Sequence, residues 1–305
     1  MSIGFLLGIA AAFIWSLTNI VDKYLVTKYA PNGNVGGIVI LSCFFPLVLV
    51  PFGLYFAPTI WLPLTEILIL ILSGVLMVIW LTQYLKALSY ADTSIVMALL
   101  MLAPVFGFIF ASIILNETLT NYQIIAGLTI LAGALVLTIN FKQKSLHVPV
   151  LVTALSASVV MGLLHTLFKS VAIEEEFWSS LIWRAVGMVI TGVIIYLTHT
   201  SARHIFNQFL KTSSVKILSF NAINESLTVI GDTIFAYAIL FAPIALIQST
   251  EAYQPIFILI ITFVISNFTI IRIEEDMSKR ILLQKIIGIF IVIIGSAMLF
   301  VGIKP

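Results

Sequence analysis

Two carboxylic acids follow one face of a long apolar stretch in the second half of the chain. Asn221, Glu225, Thr228 and Asp232 stand at i, i+4, i+7 and i+11, which is the spacing of a single helical stripe. The two carboxylates of such a stripe lie about 10 Å apart along the helix axis. A stripe of this kind can bind a cation or a proton, or it can hold acids that pair with a basic residue and serve folding alone.

The next apolar stretch carries a third acid. Gln248, Glu251 and Pro255 recur there at i, i+3 and i+7. A charge at the centre of a bilayer costs about 2.5–3.5 kcal/mol on insertion scales, so such residues tend to face the interior of a helix bundle or a wet cavity. Because desolvation disfavours the charged form, we predict a proton or cation site at Glu225, with Glu251 as the second choice.

Other polar and aromatic residues within apolar stretches are candidate cavity residues. His165 shares a helical face with Ser158 and can bind a ligand, relay protons or simply hydrogen-bond a backbone carbonyl. In the first stretch, Trp15 and Asn19 share a face with Asp22. Tyr84 is a weaker candidate of the same kind.

Arg184 and two prolines are predicted to act on structure or gating. The arginine can snorkel to the membrane interface, neutralise Glu225 or Glu251, or clamp a substrate carboxylate in a bidentate geometry. Pro104 and Pro255 each remove one helix hydrogen bond and can kink their helices. The kinks can shape the bundle only, or they can also bend during a conformational cycle.

The composition requires a membrane to position these side chains. The chain has 305 residues, is 61% hydrophobic and contains only 15 Lys and Arg and 13 Asp and Glu. A soluble domain is nearer half apolar and one quarter charged. Soluble enzymes, disulfide scaffolds, disordered chains and nucleic-acid binders are therefore excluded, and the single cysteine, Cys43, rules out an intramolecular disulfide.

Ten runs are long and apolar enough to cross a bilayer as helices, which needs about 20 residues each. They are residues 3–24, 36–56, 66–88, 94–115, 122–140, 148–169, 178–198, 214–240, 243–268 and 282–303. The fold class predicted is an all-α integral membrane protein. The Lys and Arg distribution puts both termini outside the cell by the positive-inside rule.

The chain contains an internal repeat. The segment that begins at Ala87 lies seventeen residues before Pro104, and a similar segment beginning at Ala238 lies the same distance before Pro255. Three further pairs match between the halves: Gln123 with Gln284, Gly127 with Gly288, and Lys23 with Lys169. Two halves, residues 1–140 and 148–305, of five spans each must enter the membrane from opposite sides. Such inverted repeats recur in secondary transporters, with the substrate site at the midplane between them.

The chain resembles two EamA-type domains of the drug/metabolite transporter superfamily in tandem, and the first half matches the pattern better. The resemblance is carried by Ala87-Leu88, Tyr90, Ser94, Pro104-Val105-Phe106, Asn116-Glu117-Thr118-Leu119, Gln123, Gly127 and Gly133. The second half departs from the pattern, since its interval from Pro255 to Gln284 is longer and Glu274, Glu275 and Asp276 do not align with Glu117. The resemblance implies a cavity lined by spans 1, 3, 4, 6, 8 and 9 and cytoplasmic termini, which opposes the charge count and leaves the orientation open.

The predicted function is secondary active transport of a small polar metabolite by alternating access. The direction is export or exchange, with protons or another ion as coupling partner. The alternative is a lipid-linked carrier or flippase, which needs a cavity open sideways to lipid. No nucleotide-binding loop and no zinc motif is present, so we expect no enzyme, no metal and no cofactor. The expected setting is the cell (inner) membrane, as a monomer or homodimer with no nucleic-acid partner.

Overall fold

The computed structural model describes residues 3–30, 33–57, 59–116, 121–140, 145–146, 148–268 and 279–301. Several features named above lie outside this part of the chain: Glu117-Thr118-Leu119, the acidic residues Glu274, Glu275 and Asp276, and most of the junction between the halves. The side chain of Gln123 lies outside it as well.

Every predicted run forms helix. In the first half the helices are α1 (Ile3–Tyr29), α2 (Gly36–Ser42), α3 (Leu49–Phe56), α4 (Leu64–Tyr90), α5 (Thr93–Leu100), α6 (Ala103–Ile114) and α7 (Asn121–Thr138). In the second half they are α8 (Val148–Ala172), α9 (Phe177–Thr198), α10 (Thr200–Thr212), α11 (Val215–Ala238), α12 (Ile244–Gln248), α13 (Gln254–Phe268) and α14 (Lys279–Val301). Two short strands, β1 (Ile139–Asn140) and β2 (Ser145–Leu146), pair antiparallel at the junction.

Eight segments of the described chain are long and apolar enough to cross a membrane, rather than the ten predicted. They include α2 with α3, α5 with α6, and α12 with the following 3₁₀ turn and most of α13, each counted as one span. Of the other two predicted spans, α7 has only a short apolar core, Ile124–Gly133. The other, α11, contains Lys216, Glu225 and Asp232, because it devotes one face to polar groups.

The predicted spans that contain Pro104 and Pro255 are interrupted. The α5 helix ends at Leu100, two turn residues follow, and Pro104 is the second residue of α6. A 3₁₀ segment, Ser249–Tyr253, separates α12 from α13, where Pro255 is again the second residue. A proline is tolerated in the first turn of a helix because its missing N–H would have no partner there. Both prolines therefore begin a new helix rather than kinking a continuous one.

Helices of the two halves pack against one another. The α1 helix contacts α11 and α13, α4 contacts α8 and α9, and α7 contacts α14. Glycines bring the α4 and α9 backbones close together: a Cβ on Gly187 would lie 2.2 Å from the Ile71 carbonyl oxygen. A partly buried ion pair also joins the halves, since the Lys285 ammonium of α14 lies 2.5 Å from the Asp92 carboxylate at the start of α5.

The amphipathic helix α10 covers one end of the first half. It packs on α2, and Asn34, just before that helix, donates a hydrogen bond of 2.7 Å to Ser201 of α10. The rings of Phe209 and Tyr29 meet edge to face, with 4.9 Å between centroids. The corresponding connection in the first half, between α3 and α4, runs only from residue 57 to residue 63.

Candidate functional site

A cavity of about 50 Å³ lies in the interior of the bundle, where both halves meet. Its walls come from α1, α4, α5 and the turn after it, α8, α11, and the interrupted segment around α13, and these are the six predicted spans that the resemblance implies. The residues that line it are Trp15, Thr18, Asn19, Asp22, Met77, Trp80, Leu81, Tyr84, Met97, Leu100, Met101, Met161, Leu164, His165, Thr228, Asp232, Glu251 and Gln254.

Asp22 is the centre of a hydrogen-bond network on one wall. The Tyr84 hydroxyl lies 2.9 Å from a carboxylate oxygen of Asp22 and 2.9 Å from the Asn19 side-chain oxygen. The amide of Asn224 donates to the other Asp22 oxygen at 2.8 Å, and that of Asn19 donates to Gln254 at 2.7 Å. This network fixes the side chains of four helices with neutral donors.

A second acid, Asp232, is held by Trp15 of α1. The indole N–H of Trp15 donates to its carboxylate at 3.0 Å. The Trp15 ring packs at a tilt against Phe235, with 5.0 Å between centroids. Trp15 thus orients an acid as well as lining the cavity, two uses that the sequence does not distinguish.

His165 is positioned by Gln248 rather than by a backbone carbonyl. The Gln248 amide nitrogen lies 3.1 Å from the His165 Nδ1. With the amide in this orientation, Gln248 donates the hydrogen bond and the His165 Nδ1 accepts it. Gln248 is fully buried and does not line the cavity, so among the described residues its effect on a ligand would pass through the histidine. Within the described ranges, the Gln248 Oε1 has no hydrogen-bond partner.

Glu251 faces the cavity with an unsatisfied oxygen. The residue is 2% exposed, and its Oε1 has no hydrogen-bond partner in the described chain. It lies in the 3₁₀ segment between α12 and α13, where the tighter winding replaces regular α-helical geometry.

Glu225 does not line this cavity. Its carboxylate accepts a hydrogen bond of 2.5 Å from Ser42 at the end of α2, and the residue is 6% exposed. The predicted stripe on α11 is therefore divided, because Thr228 and Asp232 reach the cavity while Glu225 turns toward α2. Asp22 and Asp232 still lie close enough to act on Glu225 electrostatically.

Arg184 is buried and lies over an aromatic ring. Its guanidinium carbon is 4.5 Å from the centroid of Phe168, and it shares a small separate cavity with Asp232. None of the ion pairs of the described residues includes Arg184. The bond to Glu225 or Glu251 that the sequence leaves open is thus not formed here, and at 6% exposure the side chain does not reach the surface.

Several lining residues are not among those that the sequence singles out. Trp80 stacks on Tyr84, with ring planes 8° apart and centroids separated by 5.3 Å. Four methionines and Gln254 also face the cavity. Nothing in the sequence sets Trp80 or these methionines apart from other apolar residues, whereas Asp22 is an acid on the same helical face as Trp15 and Asn19. No cluster of three or more metal-ligating His, Cys, Asp or Glu occurs in the described ranges.

Residues 2–139 match the EamA-like transporter family. A curated relative, a probable amino-acid metabolite efflux pump of Salmonella typhimurium, is 30% identical over 155 residues, which are 46% of this chain and 50% of that protein. The chain thus spans about half the length of the curated relative that it matches.

A solved crystal structure shares the fold at far greater coverage. It aligns with 97% of this chain and 98% of its own length, with a TM-score of 0.65 at 16% sequence identity. The family match and the many apolar helices agree with the motifs in the first half of the sequence. The chain is an integral, multi-pass membrane protein whose residues 2–139 match the EamA-like transporter family.

Proposed function

We propose that the chain is a secondary active transporter that moves a small polar metabolite by alternating access through the central cavity. In this proposal, ten helical segments cross the membrane as two inverted five-span halves. The α7 and α11 segments cross as well, because each connects to apolar neighbours within the bundle. Transport is by export or exchange and draws on a proton or another ion.

The observation that carries the proposal is the position of the buried acids. Asp22, Asp232 and Glu251 come from both halves and line one internal cavity. The helices on either side are interrupted at Pro104 and Pro255, which hold the same position in their helices. Interrupted helices around a polar midplane site are typical of secondary transporters. The matched family and the name of the curated relative favour the same class of function.

Binding and flux test this proposal separately. A thermal-shift screen of the purified protein over amino acids, nucleotides, sugars, amines and lipid headgroups identifies ligands, because a ligand of the folded state raises its apparent stability. The best ligand is then loaded into proteoliposomes, and its exchange for external labelled ligand is measured. If the unaltered protein binds the ligand but does not exchange it, the transport proposal is refuted.

One observation favours the lipid-linked carrier as a second candidate. An apolar cavity of about 260 Å³ lies between α6, α7 and α8 and is lined by Leu102, Val105, Phe106, Phe108, Ile109, Ile124, Gly127, Leu128, Leu131 and Leu155. It shares no lining residue with the central cavity, so an acyl chain there would not occupy the polar site. Scrambling of a fluorescent lipid by proteoliposomes, in the absence of water-soluble substrate, would favour this candidate over the first.

A further inference from the structure

The central cavity is lined by three acidic side chains and one histidine, His165. Asp22, Asp232 and Glu251 line it, and neither Lys nor Arg is among its lining residues. The hydrogen bonds that reach Asp22 and Asp232 come from neutral hydroxyl, amide and indole groups. Arg184 lies in the adjoining small cavity, where Asp232 faces it and offsets its charge. A molecule that enters the central cavity therefore meets carboxyl groups, with no Lys or Arg among the described lining residues.

Glu251 has a buried carboxyl oxygen that can accept a hydrogen bond from a ligand. The side chain is 2% exposed and lines the cavity, yet its Oε1 has no hydrogen-bond partner among the residues that the structure describes. In folded proteins the great majority of buried acceptor atoms have a hydrogen-bond partner, and a buried acceptor without one lowers stability. A ligand that carries N–H groups or a positive charge would satisfy it.

Aromatic rings and methionine thioethers form a large part of the cavity lining. Trp15, Trp80 and Tyr84 contribute rings, and Trp80 and Tyr84 stack in parallel. Four methionines, Met77, Met97, Met101 and Met161, and three leucines also line it. Aromatic faces attract organic cations, and thioethers adapt to apolar bodies of different shapes.

We infer that the transported metabolite is an organic cation: a protonated amine or a quaternary ammonium group on a small apolar body. The charge lies against Glu251 and Asp22, and the apolar body lies against Trp80 and the methionines. A carboxylate of similar size is excluded, because it would face the same acids. This inference rests on the proposed transport function, since it names the substrate class of that cavity.

Four small ligands test it on the full chain in neutral phosphatidylcholine nanodiscs. Butylammonium, butan-1-ol and butyrate share a four-carbon body but differ in charge, and tetramethylammonium is a cation without N–H groups. Saturation-transfer NMR gives the affinities, with empty nanodiscs as background. We expect butylammonium to bind at least tenfold more tightly than butan-1-ol, and butyrate not to bind. Equal or tighter binding of butyrate, or equal binding of butan-1-ol, would overturn the inference.

Variants locate the charge. Glu251→Gln and Asp22→Asn should each weaken butylammonium binding about tenfold or more and leave butan-1-ol unchanged. Glu174→Gln, in the exposed connection between α8 and α9, is the matched control and should change neither. Unchanged butylammonium affinity in both cavity variants would overturn the assignment. If a cavity variant does not fold, the comparison of ligands on the unaltered chain still decides.

Tetramethylammonium separates the two sources of cation affinity. If it binds like butylammonium, charge and aromatic contact dominate; if it binds tenfold more weakly, the N–H donor to Glu251 dominates. Failure of the inference is distinct from failure of the proposed function. Exchange of a neutral or anionic metabolite by proteoliposomes would leave transport standing and remove the cation. Cation binding without exchange would refute transport and leave the cavity as a binding site for an organic cation.

Discussion

Lys23 and Lys169 make matching hydrogen bonds in the two halves of the chain. The Lys23 ammonium lies 2.7 Å from the Leu88 carbonyl oxygen and 3.1 Å from that of Ala91. The Lys169 ammonium lies 2.8 Å from the carbonyl oxygen of Ala242. Ala91 and Ala242 occupy the same position in the repeated segments. Each lysine therefore joins the first helix of its half, α1 or α8, to the chain at the end of α4 or just after α11, as the predicted repeat leads us to expect.

These lysines should stabilise the fold rather than bind substrate. A hydrogen bond to a charged group contributes about 1.5–3 kcal/mol. We expect Lys23→Met and Lys169→Met each to lower the free energy of unfolding by about that amount, measured as a lower midpoint of thermal unfolding in detergent.

Lys28→Met is the control for both lysines. Lys28 is exposed and bonds the Tyr24 hydroxyl on its own helix, so its replacement should leave the midpoint unchanged. A midpoint that falls equally in all three variants would indicate a general effect of charge.

Much of the fold follows from the sequence, because apolar length determines where helices form in a membrane. All ten predicted runs are helical, and the breaks before Pro104 and Pro255 occur where the missing N–H groups require a new helix to begin. Whether α11 crosses the membrane is harder to predict from apolar content alone, since the polar residues on its inner face lower that content. The residues of α10 are predicted as a connection between spans. The sequence does not predict this helix, because its apolar residues form only a short stripe among polar ones.

The site is predicted less completely than the fold. Helical spacing brings Trp15, Asn19, His165, Asp232 and Glu251 to one cavity, because each is a polar or aromatic residue on an inner helical face. Spacing along one helix says nothing of the neighbouring helix. Glu225 therefore shares a sequence stripe with Asp232 but meets Ser42, and the partners of Arg184 depend on packing between helices.

Close packing near the site makes Gly107 sensitive to a single methyl group. A Cβ at Gly107 would lie 2.2 Å from the Gln248 Oε1, and that amide holds His165. Overpacking of this kind costs about 1–3 kcal/mol. We expect Gly107→Ala to lower the thermal midpoint and to weaken binding of the ligand that the screen identifies.

Gly127→Ala provides the comparison for Gly107→Ala. A Cβ there meets Val105 at 3.3 Å beside the apolar cavity, where the valine has room to shift. This variant should keep both the midpoint and the ligand affinity. Equal losses in the two variants would contradict the specific contact with Gln248.

The two interrupting prolines should influence transport more than folding. Pro104→Ala and Pro255→Ala each restore an N–H group and favour a continuous helix across the break. We expect slower exchange in proteoliposomes at matched protein content, with expression and ligand affinity close to those of the unaltered chain. Full exchange rates in both variants would mean that the prolines only permit the break.

Single cysteines test the ten-span topology in a Cys43→Ser background. Lys144 and His204 are separated by two predicted spans, so Lys144→Cys and His204→Cys should react with an impermeant thiol reagent from the same side. Glu174→Cys lies one span away from each and should react from the opposite side. A common side for all three positions would refute the crossing of α8 and α9.

Glu225 is the predicted coupling residue, although it lies outside the central cavity. Its carboxylate accepts a hydrogen bond from Ser42 and lies within electrostatic reach of Asp22 and Asp232, so a proton there would alter the charge felt at the site. Glu225→Gln resembles the protonated acid, and its amide oxygen can still accept from Ser42. We expect folding, ligand binding and counterflow exchange to persist, while uptake driven by a pH gradient is lost. Glu174→Gln should retain the gradient-driven uptake. If Glu225→Gln keeps it too, the coupling role passes to Glu251 or Asp232, or the transporter uses no proton.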